Sequence, residues 1–182
     1  MSAGAAAYLP AAEAVSRPKN EPVKGETMKK TLCTSLCMLA TLWTATADAT
    51  LTQTILSAED AQHMIARAEK QAQTLNAQVC IAVLDQSGQL LAFKRMDNAP
   101  IGCIDSSIQK GRAAALYRTS TDRYMARANG AEPAIATLPG MVPLGGGSVV
   151  TLNSQVTGAV GVSGSANPNE IAIAKAASEA LN

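Results

Sequence analysis

The chain reads as an α+β domain whose antiparallel sheet is covered by helices, with its elements in the order α-ββ-αα-ββ-α. Two strand pairs, at 79–97 and 148–163, are joined by connections too short for parallel crossovers. Helical segments before, between and after them supply the covering layer.

The first helix opens at Ser57, a good N-cap, with Glu59 and Asp60 in the first turn to suit the macrodipole. Ala58, Ala61, Met64, Ile65, Ala68, Ala72 and Leu75 fall on one stripe at helical spacing, so this face turns to a core. At 100° per residue, His63 falls with Glu59, Arg67 and Lys70 on the opposite, solvent-facing side.

Val79, Ile81 and Val83 alternate with Cys80, Ala82 and Leu84 in the two-residue period of a strand buried on both faces. Asp85-Gln86-Ser87-Gly88 supplies a turn, and Leu90 to Phe93 resume the run, which ends in the charged cluster Lys94-Arg95-Met96-Asp97. After Asn98-Ala99-Pro100, Asp105 to Tyr117 reads as a helix whose small residues permit close packing on a sheet. Thr119 or Ser120 can cap a third, shorter helix, with Asn129-Gly130 as an αL stop. A glycine-rich lead-in (Gly145-Gly146-Gly147) precedes the second strand pair, Ser148 to Leu152 and Gln155 to Ser163, which turns at Asn153-Ser154. The last helix is expected to start with Asn167 as N-cap, Pro168 at N1 and Glu170 at the capping-box position, and to run to Leu181.

The domain occupies 50–182. Before it, 28–49 has a Lys29-Lys30 n-region, an apolar run from about Leu32 to Trp43 and the small-residue ending Ala47-Asp48-Ala49, the pattern of a secretory signal peptide cleaved after Ala49. The run is too short and too interrupted to favour a retained membrane anchor. Residues 1–27 are an Ala-rich leader, read as untranslated if synthesis begins at Met28, or as disordered. The expected location is therefore periplasmic or secreted, or cytoplasmic if the leader masks the signal.

From Thr50 onward the chain carries ten Lys+Arg and ten Asp+Glu, and its only aromatics are Phe93, Tyr117 and Tyr124. A neutral chain without a basic stripe or a stacking platform is not suited to nucleic acid. Two cysteines lie in this part. Cys80, inside an apolar strand, reads as a small buried hydrophobe, although an exported protein leaves a disulfide with Cys103 open. No Cys/His pair has zinc spacing.

One histidine must serve any Ser-His or Cys-His arrangement, and it is expected to be exposed, so a hydrolase is disfavoured. Gly145-Gly146-Gly147 lacks the Lys-Ser/Thr of a P-loop and leads into a strand, which marks it as backbone geometry. Lys94 and Arg95 suit a carboxylate ligand or a salt-bridged strand end. Met96 offers a thioether or core filling. His63 offers a neutral imidazole for iron.

The run from Val83 to Asp97, then Ile108-Gln109-Lys110-Gly111-Arg112-Ala113-Ala114, then Val156 to Gly164 resembles the GlcG/HbpS-type haem-binding family, which includes the C-terminal domain of PduO-type adenosyltransferases. The resemblance spans about Leu51 to Leu181. It implies a five-stranded antiparallel sheet flanked by helices, a homo-oligomer and, in some members, haem binding or protection against iron and oxidative stress. It raises His63 as an axial ligand, with Lys94 or Arg95 pairing to propionates and Met96 and Lys110 as further cofactor contacts. An outward His63 places any haem at a surface or subunit interface. A second reading is a small accessory protein or enzyme that binds an organic acid near Arg95, Lys110 and the glycine-rich lead-in.

Overall fold

The computed structural model describes residues 52–182, so the leader and the signal-peptide segment expected at 1–49 lie outside the described residues. Four helices and four strands follow in the expected order: α1 (Ala58–Thr74), β1 (Cys80–Asp85), β2 (Leu90–Arg95), α2 (Cys103–Tyr117), α3 (Thr121–Ala128), β3 (Gly147–Leu152), β4 (Gln155–Ser163) and α4 (Asn167–Ser178). A short 3-10 turn at Pro133–Thr137 interrupts the stretch between α3 and β3. The expectation of five strands is corrected. Among the described residues the sheet has four strands, antiparallel throughout, in the order β2-β1-β4-β3.

α1 begins as its sequence dictates. Ser57 accepts a hydrogen bond from the Asp60 amide at 3.0 Å, and the Asp60 carboxylate accepts from the Ser57 amide at 2.9 Å, a closed capping box. These bonds hold the Asp60 carboxyl below its ordinary pKa, the backbone bond to Ser57 contributing most. Ala61, Met64, Ile65, Ala68 and Ala72 of the expected stripe are buried, while Ala58 is exposed and Leu75 half-buried.

The main core lies between the sheet and the layer formed by α1 and α4. Ile81 and Val83 of β1, Val160 and Val162 of β4, and Val150 of β3 meet Met64, Ile65, Ile173 and Ala177 there. The opposite face of the sheet is covered by α2, which lies unusually close to β4. A Cβ at Gly161 would overlap the Ser107 carbonyl oxygen and stand 2.6 Å from the Gly111 nitrogen. The glycines on both elements therefore set the helix-to-sheet distance.

Several local expectations are corrected by tertiary contacts. Cys80 is not a free core residue: its side chain turns to the α2 face, where Cys103 opens the helix with the two Cα atoms 5.4 Å apart, and the pair forms a disulfide. α2 begins two residues earlier than expected, at Cys103. α3 ends without an αL residue, since Asn129 has φ −80°. In α4, Ala166 rather than Asn167 is the N-cap, because Glu170 is drawn inward instead of closing a capping box. The Asn153-Ser154 turn is as expected, with φ 49° and 62° at its two residues.

Candidate functional site

The charged end of β2 lies at one sheet edge, beside α1. Lys94 reaches Glu69 of α1 at 3.5 Å, and both side chains are partly exposed. Arg95 donates from Nε and Nη2 to the Ala99 carbonyl at 3.2 and 2.8 Å, which ties the strand end to the following loop. Together with Gln73, Gln78 and Asp97 these residues line an open cavity of about 300 Å³. Such an exposed ion pair holds Lys94 only weakly, by about 1 kcal/mol or less.

Met96, two residues beyond Lys94, is 7 % exposed and belongs to the main core. Its side chain packs in the core and also forms part of the lining of the cavity at the Lys94–Arg95 edge. His63 is exposed, as are Glu59, Arg67 and Lys70 around it, which matches the helical projection. Its ring makes no hydrogen bond among the described residues. It precedes Glu69 by six residues, or about 9 Å along the helix axis. The imidazole thus stands on the outer face of α1, and the Lys94–Arg95 edge flanks the same helix.

Lys110 is elsewhere. It projects from α2 toward the start of α4, where its Nζ meets Glu170 Oε2 at 2.7 Å with side-chain exposures of 4 % and 6 %. Glu170 Oε1 accepts the Gly164 amide at 2.7 Å and the Ser165 amide at 3.2 Å. Asn167 donates to Glu170 Oε2 at 3.3 Å and to the Gly145 carbonyl at 2.8 Å. This hub joins α2, α4, the end of β4 and the glycine-rich lead-in. No buried side-chain polar atom among the described residues is left without a partner. The pair is buried and each charge is met by the other, so the hub fastens α2 to α4.

The structure therefore separates the candidates. Across the sheet, Lys94 pairs with Ile81 and Ile81 with Val162, whose carbonyl lies 3.5 Å from Lys110 Nζ. Lys94 is thus two strands away from the position Lys110 addresses, and α1 and α2 lie on opposite faces. Lys110 does join the glycine-rich lead-in, but Arg95 does not, so the three elements of an organic-acid site do not converge.

Glu170 and Asn167 were missed by sequence reasoning, although a signal existed. Cys103, Ser107, Lys110, Gly111 and Ala114 form the inward stripe of α2, and Glu170, Ile173, Ala174 and Ala177 that of α4. A lysine on one buried stripe and a glutamate on another each require an opposite charge.

Among the described residues no group of three or more His, Cys, Asp or Glu side chains is arranged to hold a metal ion, and no helix is long and apolar enough to cross a membrane. The fold and these sites define a small α+β domain with a charged, open cavity at one sheet edge. Residues 56–179 match the family described as haem degrading protein HbpS-like, and the chain belongs to that family. Protein GlcG of Escherichia coli K12 is 43 % identical over 113 residues, covering 62 % of this chain and 84 % of GlcG. A double mutant of Streptomyces reticuli HbpS superimposes with a TM-score of 0.68 at 27 % identity, covering 76 % of this chain and 94 % of the other. The PduOC:haem complex, at 23 % identity and TM-score 0.65, covers 71 % of this chain and 96 % of PduOC and shares the fold.

Proposed function

We propose that the mature domain is an exported haem-binding protein that acts as an oligomer, with a role in haem or iron handling. Membership of the HbpS-like family carries this reading, supported by a structural neighbour solved with haem. The residues fit the group in part. His63 offers an exposed imidazole free of internal hydrogen bonds among the described residues, and a neutral imidazole is a common haem ligand. Lys94 is released from Glu69 at little cost, and Arg95 keeps N–H groups beyond those held by Ala99, so both suit propionate carboxylates. When bound, haem supplies a redox-active iron. Met96 lines the cavity beside Lys94 and Arg95, whereas Lys110 is paired with Glu170 away from this edge.

The surface around His63 is polar, so one protomer provides a donor and cations but no apolar wall. A second copy covering this face completes the enclosure. Export is supported by the buried Cys80–Cys103 bond, a linkage that forms and persists in oxidising compartments.

Titration of the protein with hemin tests the reading. The expected result is a Soret shift lost in His63→Ala and a weaker affinity in Lys94→Glu and Arg95→Glu. A shift unchanged by His63→Ala removes the ligand assignment. Thermal stabilisation by a small carboxylate and none by hemin replaces haem with an organic acid. Sedimentation gives the oligomer, and N-terminal sequencing of secreted protein tests cleavage after Ala49.

A further inference from the structure

The charged end of β2 and the disulfide are built into one another. Arg95 stands directly opposite Cys80 in the β1–β2 ladder, so both side chains leave the sheet on the same face, the one covered by α2. Cys80 is joined there to Cys103, the first residue of α2, and the two are 0 % and 3 % exposed. Between Arg95 and Cys103 runs a short loop, 96–102, whose Ala99 is buried in one cluster with both cysteines, flanked by Phe93 and Ile104.

The Ala99 carbonyl is the group that Arg95 holds, through Nε at 3.2 Å and Nη2 at 2.8 Å. A carbonyl that accepts from Nε and one Nη occupies the side of the guanidinium and leaves the end-on pair of N–H groups, one from each Nη. That pair matches the two oxygens of a carboxylate. Arg95 makes no ion pair among the described residues, so its charge is unspent. Little else fixes the loop. Its Ala99 amide bonds the Met96 carbonyl and the Cys103 amide the Pro100 carbonyl, both local turns, and Gly102 gives α2 no side-chain cap. The disulfide is the covalent link that returns the far end of the loop to β1. α2 itself keeps a second tie, Ser106 Oγ donating to Ser163 Oγ at 2.6 Å, so loss of the disulfide releases the loop more than the helix.

We propose that the Cys80–Cys103 disulfide is the positioning element of the Lys94–Arg95 edge: by seating Ala99 it holds the Arg95 guanidinium with its end-on N–H pair ready for a carboxylate of the ligand. The inference rests on the proposed function for the identity of that ligand, whose carboxylates are haem propionates. A long side chain that is already ordered does not lose its freedom on binding, and for one such side chain the gain is about two- to tenfold in affinity. The disulfide thus contributes to binding without touching the ligand.

Two readouts on the full chain test this, with the fold of every variant verified by circular dichroism. The first needs no ligand: by nuclear magnetic resonance the Arg95 Nε–H is expected to exchange slowly with water in the parent, and about tenfold faster or more in Cys80→Ala/Cys103→Ala. The second is hemin affinity from Soret titration. Removing the disulfide is expected to weaken it about two- to tenfold when Arg95 is present and not at all in an Arg95→Met background. An Nε–H unchanged without the disulfide overturns the proposal. So does an equal loss of affinity in both backgrounds, the mark of a purely structural bond, or no loss in either. A parent that binds no hemin refutes the haem reading, and the Nε–H exchange then decides the positioning by itself. If the disulfide-free protein does not fold, Ala99→Gly keeps the bond and removes the methyl group that seats the loop; the same two changes are expected there, and their absence overturns the proposal.

Discussion

Replacing Lys110 by methionine keeps most of the side-chain volume and removes one charge from a pair that is almost fully buried. The pair is 2.7 Å long, with 4 % and 6 % of the side chains exposed, so water cannot solvate the Glu170 carboxylate left behind. Breaking a buried pair by deleting one partner costs about 3–5 kcal/mol, a large part of the roughly 5–15 kcal/mol that holds a typical domain together. Restoring neutrality tests whether the charge is the cause. In Lys110→Met/Glu170→Gln the amide oxygen can still accept from Gly164 and Ser165, and stability is expected to return to within about 1–2 kcal/mol of the parent. In Lys110→Met/Glu170→Met those two amides lose their acceptor, which leaves the protein about 2 kcal/mol or more below the glutamine double variant. Urea unfolding followed by circular dichroism measures each difference, with an unchanged m-value as the check that only stability moved. A Lys110→Met protein within about 0.5 kcal/mol of the parent, or a double variant whose loss is the sum of the singles, refutes the argument that the buried charges depend on each other.

Replacing both Cys80 and Cys103 by alanine opens a loop spanning 23 positions, and chain entropy puts the loss at about 3 kcal/mol; calorimetry of the variant and of the parent under reductant should agree. Gly161→Ala drives a methyl group into the Ser107 carbonyl on α2 and is expected to cost about 3 kcal/mol or more, read from the denaturation midpoint, because neither backbone can yield. Ser57→Ala removes the α1 cap and lowers Tm by about 3 °C at neutral pH. Since Asp60 is depressed in the folded state, its share of the cap is complete above the ordinary carboxylate range and is lost as pH falls through its lowered folded value. The Tm gap between parent and Ser57→Ala should therefore narrow in acid, and a gap that widens there contradicts the assignment.

Periodicity and turn chemistry were enough to place the elements in order, to put His63 on the outer face of α1 and to locate both hairpin turns, because each of these depends on residues within a few positions of one another. Sheet order was not legible: nothing local tells β1 to pair with β4 as well as β2, or leaves β3 as the outer strand with helices on either side. The fate of the charged and sulfur-bearing residues was equally hidden. Cys80 looked like core filler until α2 brought Cys103 over it, Glu170 looked like a capping-box residue until Lys110 arrived from sixty positions away, and Met96 and Lys110 proved interior while Lys94 and Arg95 stayed at the surface. Sequence by itself determined where this chain turns, coils and alternates, since backbone preference and amphipathic pattern act over short distances. Only the tertiary structure decided which charges meet, which cysteines join and which strands form the sheet edges, since these follow from packing between elements that are remote along the chain.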